Sequence, residues 1–85
     1  MEVIVLTPEK EIFQGNIESV KVPGTTGQFE ILRGHAPIVS SLVTGEVRII
    51  TASGERQTFH ITKGFIEVLG EEVSLLVQGA EEKNN

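Results

Sequence analysis

The side chains able to do acid–base or nucleophilic chemistry are few. His35 and His60 are the only histidines, cysteine and aspartate are absent, and all 12 acids are glutamates. A hydroxyl nucleophile needs a base within hydrogen-bond reach and an acid to orient that base. Ser40 and Ser41 follow His35 in the chain, but no motif ties either to an imidazole. His60 alternates with Thr58 and Thr62, as on the polar face of a strand. His35 lies between Gly34 and Ala36-Pro37, where a ring nitrogen can bond a loop carbonyl. Two histidines among glutamates lack the spacing of a zinc site, and a chain without aspartate cannot form the usual calcium loop. Pro23-Gly24-Thr25-Thr26-Gly27 lacks the following lysine and helix start of a phosphate loop, so it reads as a tight turn. No catalytic residue, metal site or cofactor is assigned.

The elements that hold these residues are short. Glycine or proline recurs so often that the longest interval free of both is Glu55 to Lys63. Strands of five to eight residues fit every gap, whereas a typical helix does not. Nineteen valines and isoleucines against six leucines favour strands. Alternation is clearest in the second half. There Val47, Ile49 and Thr51 share a face, as do Gln57, Phe59 and Ile61, and Val73, Leu75 and Val77. Breaks fall at Ser53-Gly54, Lys63-Gly64 and Gly70-Glu71. Strands are expected at Glu2–Leu6, Glu11–Phe13, Ile17–Val22, Gln28–Ile31 and Ile38–Val43, then Glu46–Ala52, Gln57–Thr62, Phe65–Leu69 and Val73–Val77. Short strands with regular turns predict an all-β sandwich or small barrel.

The chain's 85 residues make one domain, expected over 1–80, with a polar, frayed tail over 81–85. A domain this small buries only about 60% of its unfolded surface. A net charge of −5 with no Trp or Tyr disfavours nucleic acid and anionic lipid. No apolar run approaches a membrane span, and no basic-then-apolar leader is present.

One stretch, Val22 to Pro37, combines Gly24, Gly27 and Gly34 with Pro23 and Pro37 but carries almost no reactive chemistry. It specifies a shape. The following Ile38-Val39-Ser40-Ser41-Leu42-Val43 is apolar on both faces: Ile38 and Leu42 point one way, Val39 and Val43 the other. A sandwich buries one face of a strand, so the second is expected to meet a partner. Lys63, at a turn between two strands, is placed like the modified lysine of biotinyl and lipoyl carrier domains, though without their flanking residues. A carrier domain modified at Lys63 is the alternative function.

Thr7-Pro8-Glu9, Phe13, Gly15, Val22-Pro23-Gly24, Gly27, Ile31, Gly34-His35-Ala36-Pro37, Gly45, Val47-Arg48-Ile49 and Gly64-Phe65-Ile66-Glu67-Val68 resemble, in order, the epsilon subunit of F-type ATP synthase. The resemblance runs to about Ala80. It implies a flattened antiparallel sandwich of about ten strands in the central stalk, a non-catalytic rotor part joining the gamma subunit to the membrane c ring. Proton translocation is thereby coupled to ATP synthesis. It places Thr25, Thr26, Gly27, Gln28, Phe29 and Glu30 against the polar loops of the c ring, and His35, Ala36, Pro37, Ile38, Val39 and Ser40 against gamma. It implies a peripheral position on the cytoplasmic face of the bacterial inner membrane, with membrane contact only through the complex. Three positions depart from the family pattern. The acid usually next to Gly27 is found at Glu30, two positions on; Arg33 replaces a proline; Lys63 replaces the first of two glycines. The inhibitory, ATP-sensing helical hairpin of longer relatives is expected to be lacking.

Overall fold

The computed structural model describes residues 1–82, and among them there is no helix. The strands are β1 (Glu2–Leu6), β2 (Glu11–Gly24), β3 (Gly27–Leu32), β4 (Ile38–Leu42), β5 (Gly45–Thr51), β6 (Arg56–Ile61), β7 (Lys63–Leu69), β8 (Glu72–Gln78) and β9 (Glu81–Glu82). Hydrogen bonding runs β1-β8-β7-β4-β2-β5-β6-β9, with β3 also on β2 and β1 closing back onto β2. The sheet therefore folds over itself. One layer holds β1, β8, β7, β4 and the first half of β2; the other holds β3, the second half of β2, β5, β6 and β9.

The core follows from the alternation. In β7, Gly64, Ile66 and Val68 are buried while Lys63, Phe65, Glu67 and Leu69 are exposed. In β8, Val73, Leu75 and Val77 point inward. Val47 and Ile49 of β5 and Phe59 and Ile61 of β6 meet them from the other layer in one apolar cluster. Residues opposite each other in register share a face, so each layer has a dry and a wet side.

Two expected strand boundaries need correction. Glu11–Phe13 and Ile17–Val22 are parts of one 14-residue strand, because Gly15 is not turned but paired with Val3 of β1. A register shift between Ile17 and Ser19 changes which side chains face inward as β2 passes from one layer to the other. Lys63-Gly64 is not a break: both belong to β7, and only Thr62 separates β7 from β6. Gly64 is there for close approach, since a Cβ on it would lie 2.6 Å from the Leu76 carbonyl oxygen. β1 and β8 pair in parallel, alone among the pairings of the described residues. Glu81 and Glu82, expected in the tail, pair with His60 and Phe59; the rest of that tail lies outside the described residues.

Candidate functional site

The two sequence-marked segments sit at opposite ends of one sandwich edge. β2 and β3 form a hairpin closed by Gly24 opposite Gly27, with Thr25 and Thr26 exposed at its tip. Gly27 has φ 128°, open to glycine and costly for a side chain. β3 then runs away from the tip to Leu32, and the segment from Arg33 to Pro37 turns the chain back into β4. The turn is held by the His35 amide donating to the Leu32 carbonyl at 3.1 Å. β4 returns to the tip, where Leu42 lies opposite Gly24. Six residues of strand at about 3.3 Å each separate the tip from the turn.

At the tip end, Gln28 is exposed, Phe29 is half-buried against the core and Glu30 is on the outer side. Glu30 stands opposite Lys21, which stands opposite Arg48. An Arg48 guanidinium nitrogen donates to Glu30 Oε2 at 3.3 Å, with the side chains 29% and 39% exposed respectively. The displaced acid is thus engaged within the chain. Arg48 Nε is buried without a hydrogen-bond partner.

At the turn end, His35 Nδ1 lies 2.7 Å from the Ala36 carbonyl oxygen, so that nitrogen carries the proton and donates. Ser40 Oγ donates to the Ser41 carbonyl at 3.3 Å. His60 is exposed on β6, opposite Glu46 and Glu81. His35 and Ser40 are thus engaged locally, and His60 stands on a strand face between two glutamates. Lys63 is not on a hairpin tip: β6 and β7 belong to different layers, and Lys63 pairs with Gln78 of β8.

The sequence missed most of one surface. Val39 (70% exposed) does face out, as its alternation with Ile38 requires, but it is joined by Phe65 (55%), Leu69 (67%) and Leu76 (52%). In register, Ser41, Phe65, Leu76 and Leu6 form one row across β4, β7, β8 and β1, and Val39, Glu67, Ser74 and Ile4 form the next. A groove of about 590 Å³ opens along the first row. The doublets Phe65-Ile66 and Leu75-Leu76, apolar on both faces of their strands, are the signal that could have found it. The outer side of the other layer carries Lys21, Glu30, Glu46, Arg48, Arg56 and His60, with Leu32 also exposed at the end of β3.

Residues 1–83 match the family described as ATP synthase, Delta/Epsilon chain, beta-sandwich domain. The chain belongs to that family. Its epsilon-type domain is 42% identical over 74 residues to the ATP synthase epsilon chain of Chlorobaculum tepidum, covering 87% of this chain and 84% of that one. The fold superposes with TM-score 0.88 on a chain in the Euglena gracilis mitochondrial ATP synthase OSCP/F1/c-ring structure, at 20% identity. That match covers 94% of the domain but 51% of the Euglena chain. It superposes with TM-score 0.78 on a chain of the Tetrahymena thermophila mitochondrial ATP synthase central stalk and c-ring, at 22% identity, covering 96% of the domain and 66% of that chain. Among the described residues, no helix of this domain is long and apolar enough to cross a membrane.

Proposed function

We propose that this domain is a non-catalytic rotor part of an F-type ATP synthase. It grips gamma with one surface and the polar loops of the c ring with another, on the cytoplasmic face of the bacterial inner membrane, and so couples proton translocation to ATP synthesis. The observation that carries this reading is the polarity difference between the two outer faces, in a chain of this family. Val39, Phe65, Leu69 and Leu76 are exposed on one layer, continuous with the Ile38–Ser40 segment, while the other layer's outer side is mostly ionic, with Leu32 the large apolar side chain exposed on it. An apolar row of this extent on a small domain marks an interface. We assign gamma to that row together with the turn at His35, Ala36 and Pro37. The c ring is assigned to the tip formed by Thr25 through Glu30, at the other end of β3. The domain exposes 5177 Å², so two ordinary interfaces of about 800 Å² each occupy roughly a third of it.

The test is a binding titration of the domain against purified gamma from the same host. Binding at micromolar concentration is expected, and it should fall at least tenfold for Ala36→Glu, which puts a charge in the contact. Ala36 is exposed, so the variant should melt as the parent does. Absence of binding by the parent overturns the reading. Trypsin digestion and intact mass of the domain from its host check the carrier alternative, which requires an adduct on Lys63.

A further inference from the structure

β3 is an open edge of its layer. Among the described residues it pairs only with β2, whereas β6, towards the other edge of the same layer, is covered by β9. The direction of its backbone groups follows from two bonds. Pro23 stands opposite Gln28 but has no N–H, and its carbonyl accepts the Val43 amide at 2.9 Å, on the side of β2 away from β3. Pro23 and Gln28 therefore exchange no bond, and the bonded pairs are Gly24 with Gly27, Val22 with Phe29 and Val20 with Ile31. The N–H and C=O groups of Gln28, Glu30 and Leu32 point the other way, off the edge. The Leu32 carbonyl agrees, since it accepts the His35 amide at 3.1 Å. Among the described residues, the N–H and C=O of Gln28 and Glu30 and the N–H of Leu32 are left without a partner strand.

Native sheets blunt such an edge with a lysine, a proline, a bulge or a covering segment. β3 has none of these among the described residues. Its register on β2 is unbroken, and its one charge, Glu30, is tied to Arg48 on the outer side. The inner side of the edge is incompletely covered too, since Phe29 packs on the core yet stays half-buried. Unpaired N–H and C=O groups recurring every second residue match another extended backbone. A second copy of this chain is a poor match. The antiparallel register that uses Gln28, Glu30 and Leu32 in full sets Glu30 directly against its own counterpart, and like charges in that position are destabilising. We propose that an extended segment of a different chain adds to β3 as a further strand, bonded to the backbone of Gln28, Glu30 and Leu32. Its side chains opposite Phe29 and Ile31 point inward and are apolar, and the one opposite Glu30 is neutral or basic. This rests on the central-stalk reading above, which supplies the neighbouring chains, and adds how one of them is held.

The experiment follows amide hydrogen exchange residue by residue in the whole chain, alone and bound to purified gamma and c ring from the same host. Alone, the amides of Gln28, Glu30 and Leu32 are expected to exchange about tenfold or more faster than those of Phe29 and Ile31, which bond to β2. In the complex the same three amides are expected to slow by about tenfold or more. Burial alone also slows exchange, so two variants are compared. Leu32→Pro removes an outward N–H, which an edge strand tolerates, and Leu32→Ala keeps it. Leu32→Pro is expected to bind about tenfold more weakly than Leu32→Ala, at low and high salt alike, because the lost bond is not ionic. Thermal melts confirm that both variants keep the fold. If the chain binds but the three amides exchange as fast as before, or the two variants bind alike, strand addition is wrong while the stalk reading stands. Protection that grows with concentration in the chain alone assigns the strand to a second copy and overturns the proposal. If the chain binds neither gamma nor the c ring, both readings fail together.

Discussion

At the scale of single residues, the strongest constraints are steric. Gly64 faces inward, and a Cβ there would meet the Leu76 carbonyl oxygen at 2.6 Å and Val77 Cγ1 at 3.0 Å. Backbone cannot swing aside as a side-chain tip can. Gly64→Ala is therefore expected to cost about 2 kcal/mol through forced separation of β7 and β8, read from a chemical denaturation midpoint. The sequence shows a glycine here but not why, since a glycine demanded by a neighbour's carbonyl and a glycine demanded by a turn look the same in one chain. The Glu30–Arg48 pair is a gentler case. Both side chains are about one-third exposed, so Glu30→Gln is expected to cost less than about 1 kcal/mol of stability. His35 was legible: its place between Gly34 and Ala36 suggested a local carbonyl bond, and Nδ1 makes one.

Among the elements, β5, β6, β7 and β8 could be read from alternation because each buries one face and turns at Gly54 or Gly70, both at positive φ. β2 could not. Its Gly15 looks like punctuation, and only pairing with Val3 shows the strand continuing through it. The parallel contact of β1 with β8 was equally hidden, since it joins the first strand to one near the end of the described chain and no local signal records it. That contact gives an expectation. Leu75, fully buried and opposite Val5, belongs to the strand that closes the circuit. Leu75→Ala should cost about 2–5 kcal/mol, a large part of the stability of so small a domain. Hydrogen exchange should speed up in β1 and β8 together.

For the molecule as a whole, what matters is that the two layers are dressed differently. Scattered surface apolars are ordinary, but Phe65 and Leu76 stand side by side in one row, and one sequence read strand by strand reveals such a row only after the register is known. Phe65→Glu is expected to leave the melting temperature within a few degrees, because the ring is 55% exposed, and to weaken gamma binding more than any change on the ionic layer. Calorimetry beside the binding titration separates the two effects.

β2 passes through both layers without interruption from Glu11 to Gly24. A pull applied at the hairpin tip thus travels down a covalent backbone into the opposite layer, instead of across a seam of side chains. Strands flanking that backbone must slide lengthwise, breaking many hydrogen bonds at once, before the body yields. In a rotating shaft, such a spine resists twisting far better than two plates held by grease.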